Sequence, residues 1–218
     1  LFSDGKIVSV GYNLSTMYNT KKVDASGKHI YPGLISAGST LGLQEIGAVR
    51  ATRDYAETGS LNPNVRANVS YNPDSELIPI SRSNGVLLAL VVPRSGRISG
   101  VSSLMLLDGW TWEDATLKSP IGLHLFWPSM NESKSDGKKK DKLDKRLNSI
   151  QKIENFFNEA RAYLKLKDNS SISFKYDSRL EGMLVVLKGE IPIFIHANEV
   201  RQIEAAVYWA DRQNIDMV

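Results

Sequence analysis

Cysteine is absent from the 218 residues, and that excludes disulfide staples, thiolate zinc sites and a cysteine nucleophile. Histidine is nearly absent too, with three in the whole chain: His29, His124 and His196. No apolar run approaches the roughly eighteen residues needed to cross a bilayer, so no membrane partner is expected. The longest, Val86 to Val92, has the length of a strand. There is no Gly-Lys-Ser/Thr phosphate loop, and the glycine spacing is not that of a dinucleotide site. The first residue is Leu rather than Met. A native start and any secretory signal would then precede it, which leaves a soluble protein of the cytoplasm or an exported one both open.

What is present is ordinary in bulk. Hydrophobic residues make up 42% and charged residues 23%, as in soluble globular proteins. The length suffices for one substantial core, or one domain and part of another. The net charge of +3 is local: Lys134 to Arg146 holds seven basic and three acidic residues, so the rest of the chain is slightly acidic. A nucleic-acid face interleaves its cations with stacking aromatics. The segment 131–142 contains none and reads as a flexible, solvated basic loop, with no nucleic-acid partner implied.

Along the chain, Asp4-Gly5 is a hairpin turn between short β-branched runs, and 21–25 predicts a second strand ending in the Ser26-Gly27 turn. Apolar spacing at Leu43, Ile46 and Val49 predicts a helix over 42–57. Ser75 is placed to cap a helix running to Arg82, and Thr111 to cap one over 112–117. Val86 to Pro93 and Pro120 to Pro128 read as strands covered on both faces. Leu143, Leu147, Ile150, Ile153, Phe157, Ala160 and Leu164 form one stripe of a long helix, with Asp141 or Asp144 as its cap. A shorter helix is expected over 176–188, closed by Gly189. A last helix, 199–213, carries Val200, Ile203, Val207 and Ala210 on one face, and 215–218 begins another strand.

Two stretches carry a family likeness. The first runs from Ile30 to Leu43, Ile-Tyr-Pro-Gly-Leu-Ile-Ser-Ala-Gly-Ser-Thr-Leu-Gly-Leu, after a lead of "DGKIVSVG" and "VDASGKHIYPGLI". It resembles the first barrel strand of the amidohydrolase superfamily, which usually reads Pro-Gly-Leu/Phe-Ile-Asp-x-His-x-His. The "LDGWTWED" text at 107–114 looks like the branch related to imidazolonepropionase. The second stretch, Glu190 to Glu199, is an apolar strand ending in His196-Ala197, as at one of the family's single-histidine metal ligands. The resemblance implies an α/β fold, a partial (β/α)8 TIM barrel of the metal-dependent hydrolase type over 32–218. A small β-sandwich segment over 1–31 would precede it. The chain looks like the first half of such a protein. The partner expected for its open edge is therefore the remainder of the polypeptide or a complementary chain, with a homo-oligomer left open.

The implied activity is hydrolysis of non-peptide, often cyclic, C–N bonds in a small-molecule substrate by metal-activated water, and the implied cofactor is zinc or another divalent metal. Such sites use three or more N/O ligands with an open position for water. Here Gly38 and Thr40 stand at the places of the opening histidine pair, and Ser36 at that of the aspartate. His196 is the one ligand at a matching place. Pocket candidates are Gly38, Ser39, Thr40, Arg94, Arg97, His124, Asn198 and Glu199, with no catalytic residue assigned. Arg94 and Arg97 lie in a loop after a strand and are candidates for a substrate anion; either is equally a turn residue. His124 lies toward the end of its strand, where barrel sites gather, and is also readable as a core histidine. A second function class is a barrel that has lost its metal and serves as a binding or structural protein. Metal-independent hydrolysis through Ser36 or Ser39 lacks a neighbouring His-Asp pattern.

Overall fold

The computed structural model describes residues 1–16, 18–130, 139–169 and 175–218, with side chains of its longest helix described from Arg146 onward. The expected loop over 131–142 falls largely outside these residues. The chain divides into two compact units, Leu1–Pro32 and Gly33–Val218.

In the first unit Asp4 and Gly5 take φ of 52° and 73°, the left-handed pair that a two-residue hairpin turn requires. They join β1 (Phe2–Ser3) to β2 (Lys6–Ile7), with Phe2 opposite Ile7. The strand expected over 21–25 does not form. Asp24 Oδ1 instead accepts from the Ser26 backbone N–H at 2.9 Å and from its hydroxyl at 2.6 Å. Such a local turn competes with strand pairing.

The second unit holds two sheets. β3 (Leu34–Ser39), β4 (Val86–Val91), β6 (Ser103–Leu106) and β7 (Thr116–Lys118) lie side by side in that order. β5 (Ile98–Val101), β8 (Leu123–Phe126) and β9 (Ile193–His196) form the other. β3–β4 and β8–β9 are parallel, while the β4–β6, β6–β7 and β5–β8 pairs are antiparallel. The architecture is thus mixed α/β, and the described strands do not close into a barrel. At its end the chain returns to the free edge of β9. The Val218 N–H donates to the Ile193 carbonyl, and the Ile195 N–H to the Val218 carbonyl, around a single parallel bridge between Met217 and Ile193.

Among the described residues five α-helices accompany the sheets: α1 (Leu77–Ser83), α2 (Trp112–Ala115), α3 (Lys139–Asp168), α4 (Ser178–Leu187) and α5 (Val200–Gln213). The helix expected over 42–57 is absent. Gly42 sits at φ 76°, and the Thr52 hydroxyl bonds both the Ile46 N–H and carbonyl. The segment folds back, with only a single 3-10 turn at Arg50–Thr52. Thr111 does cap α2, accepting from the Asp114 N–H at 3.2 Å, though that helix stops at Ala115 because the next residues pair as β7. Ser75 Oγ lies 3.4 Å from the Leu77 N–H and also donates to Glu45, so it tethers α1 rather than occupying the cap itself. α3 begins before Asp141 and Asp144, which lie inside it instead of at its start. Asp177 caps α4 through the Arg179 and Leu180 N–H groups.

Of the expected α3 stripe Ile153, Phe157 and Ala160 are buried, with Phe156 and Tyr163 added, whereas Leu147 is 55% exposed. α5 is rotated from its expected face. Ala206, Trp209 and Ala210 are buried, whereas Val200 is 72% exposed and Ile203 and Val207 are nearly half exposed. Trp209 decides this: its ring lies 5.2 Å from Trp127 and 5.0 Å, edge-on, from Phe157. These groups, with Leu123, Leu125, Ile193 and Met183, make the core behind the second sheet. A smaller core of Leu43, Tyr71, Ile78, Ala89, Val91 and Met105 backs the first.

Candidate functional site

The alternation of two adjacent strands builds the site. β8 reads Leu-His-Leu-Phe and β9 reads Ile-Phe-Ile-His, and they pair in register: His124 beside Phe194, Phe126 beside His196. Successive side chains of a strand point to opposite faces. Leu123, Leu125 and Ile193 therefore enter the core, and the four rings share the other face. There His124 stacks on Phe194 at 5.0 Å between centroids, and His196 stacks on Phe126 at 4.2 Å. The diagonal contact is a hydrogen bond, His124 Nδ1 to His196 Nε2 at 2.8 Å. Gly122 allows this packing, since a Cβ there would lie 2.4 Å from the Phe194 ring.

Arg94, just past β4, sends Nη2 to the Gly38 carbonyl at 2.6 Å. Gly38 itself is in left-handed backbone at φ 78°, the conformation that glycine adopts without cost. The Arg94 charge is felt by both imidazoles. Burial, then His196, then Arg94 depress the His124 pKa to about 3. Burial, followed by Arg94, lowers that of His196. Near neutral pH the pair is therefore uncharged beside a guanidinium. Residues at the C-terminal ends of parallel strands are where α/β sites assemble, and Gly38, Arg94 and His196 all hold such positions.

The other expected residues make the following contacts within the fold. Ser39 Oγ accepts from the Leu41 N–H, and the Thr40 carbonyl from the Leu43 N–H. Arg97 Nη1 reaches the Phe126 carbonyl at 3.4 Å and braces β8. The Asn198 N–H donates to Gln202, and Glu199 precedes α5 as its N-cap and accepts from Ser129 at 3.5 Å. Phe126 and Phe194 were not anticipated as site residues. Their signal is the paired Leu-His-Leu-Phe and Ile-Phe-Ile-His alternation, legible once the two strands are taken as neighbours.

The fold family implies a divalent metal, and the donors can be tested for it. Among the described residues no three His, Asp or Glu side chains gather. The His196 Nε2 is engaged by His124, and Gly38 has no side chain. This donor set does not fit a catalytic divalent ion, which needs three protein ligands.

The chain matches the crystal structure of an amidohydrolase from Thermotoga maritima with a TM-score of 0.83 at 25% identity. The match covers all of this chain and 58% of that one. No protein-family model and no curated protein matches the sequence. At the level of the fold, then, this is an amidohydrolase-like protein. The chain spans little more than half the length of the structure it resembles.

Proposed function

We propose that this protein is an amidohydrolase-like hydrolase that binds a small, non-peptide C–N compound over the face formed by His124, His196 and Arg94. What carries the reading is a bonded pair of imidazoles on which the Arg94 charge acts, on this fold. In it, the strands described form part of a (β/α)8-type barrel that further polypeptide completes. That polypeptide, or a complementary chain, would also have to supply any zinc or other divalent ion with most of its ligands. The residues of this chain bind and orient: Arg94 faces negative charge or a carbonyl oxygen, the stacked rings give a flat wall, and the neutral pair exchanges hydrogen bonds. No helix among the described residues is long and apolar enough to cross a membrane.

A second reading has the observation of the donor set behind it: a metal-free protein that binds the small molecule without hydrolysing it. The test uses the full-length protein against a panel of cyclic amides, imides and ureas, with and without added zinc or manganese. Turnover that falls at least tenfold in His196→Ala and Arg94→Gln supports the hydrolase. Binding of panel members without turnover under any metal condition supports the second reading, and neither binding nor turnover would sink both.

A further inference from the structure

The proton in the His124–His196 bond can be located from the surroundings of the two rings. His124 is 1% exposed, and its Nε2 is buried with no partner among the described residues. A proton on Nε2 would leave a buried N–H donor unmade, an arrangement rarer and costlier than an unused lone pair. The proton therefore sits on Nδ1 and is donated to His196 Nε2 across 2.8 Å. His196 is neutral and accepts at Nε2, so its own proton must be on Nδ1. That second nitrogen is not enclosed and has no hydrogen-bond partner among the described residues.

We propose that His124 is a positioning residue that holds His196 in the Nδ1–H form, making it a hydrogen-bond donor to a carbonyl or carboxylate oxygen of the ligand. The Arg94 guanidinium, held by the Gly38 carbonyl, adds positive charge on this side of the pair. The arrangement also disfavours a cation at His196. Its Nε2 lone pair is spent on His124, and the remaining nitrogen carries a proton, not a lone pair. The inference rests on the reading of this face as the binding site, and it narrows the ligand to one with an acceptor oxygen.

The test is the tautomer, read without any substrate. Full-length protein labelled with 15N-histidine is measured by long-range 1H–15N correlation, which separates the Nδ1–H from the Nε2–H form. Wild type is expected to show His196 as Nδ1–H. His124→Asn, whose amide can donate to the same nitrogen, is expected to keep that form, and His124→Phe to release it to Nε2–H. Acetate and acetamide are then titrated as probes. Both are expected to shift the His196 signals, and to bind about tenfold more weakly in His124→Phe, the loss of one hydrogen bond to a polar group. Zinc is expected to broaden His196 in His124→Phe and leave wild type unchanged.

An Nε2–H His196 in wild type overturns the proposal, and that measurement stands even where His124→Phe fails to fold. So does an unaltered tautomer in a folded His124→Phe, zinc bound through His196 in wild type, or no response to either oxygen probe. Absence of hydrolysis on the panel leaves the tautomer readout untouched, so failure of the functional reading and failure of this one are separable.

Discussion

Replacing His124 by Asn should make the protein markedly less sensitive to acid. An exposed histidine in the unfolded chain titrates near 6.5, whereas burial holds His124 neutral down to about pH 3. Below 6.5 the unfolded state takes up a proton that the native state refuses, so stability is fully present above that value and is lost as pH falls toward 3. At about pH 4.5 the gap of two units corresponds to about 2.7 kcal/mol, at about 1.36 kcal/mol per unit. Asn does not titrate and can still donate to His196, so the variant should lose about 2.7 kcal/mol less than wild type between about pH 7.5 and 4.5. Carboxylates also titrate in this interval, but they are common to both proteins and cancel in the difference. Urea unfolding followed by tryptophan fluorescence suits the assay, because Trp127 and Trp209 are buried with rings 5.2 Å apart. Equal slopes against urea must first establish that both unfold over the same surface. Parallel decline of the two proteins, within about 0.5 kcal/mol, would refute the idea that His124 stays neutral in the fold.

Three other substitutions probe the packing. Gly122→Ala puts a methyl 2.4 Å from the Phe194 ring, and should cost about 1–3 kcal/mol in urea unfolding while shifting the His124 ring signals. Gly182→Ala should destabilise by a similar 1–3 kcal/mol or so, although alanine is the better helix former; its Cβ would meet the backbone of Pro63 and Asn64 at 2.8 Å, and a rise in melting temperature would contradict this. Tyr71→Phe should be neutral or stabilise by up to about 1 kcal/mol, because the Tyr71 hydroxyl is buried with no partner among the described residues. A clear loss of stability would reveal a partner for that hydroxyl.

Local chemistry was legible in the sequence where it acts over a few residues. The Asp4-Gly5 turn, the Thr111 cap, the β4 run and the middle of the α3 stripe all follow from short-range preferences that the tertiary structure leaves in place. The missing strand over 21–25 has a local cause in the Asp24–Ser26 turn, whereas two larger misreadings originate in contacts distant along the chain. Val200, Ile203 and Val207 share a helical face, but the side of α5 that is buried is chosen by where Trp209 meets Trp127 and Phe157. Leu43, Ile46 and Val49 have helical spacing, yet Gly42 packs against Tyr71, where a Cβ would lie 2.4 Å from the ring, and the segment turns instead. The candidate site shows the same division. His196, Arg94, Gly38 and His124 could each be singled out from the text. Only the β8–β9 register reveals that the two imidazoles are bonded to one another.

The left-handed backbone at Gly38 makes the opening turn a one-way substitution. A histidine placed there would have to adopt φ near 78°, which costs a non-glycine residue about 1 kcal/mol or more. It would also project its ring from a peptide whose carbonyl is already clasped by Arg94. An imidazole placed at this one position would therefore not make a cation clamp by itself; the chain path, the arginine and the glycine would have to change together.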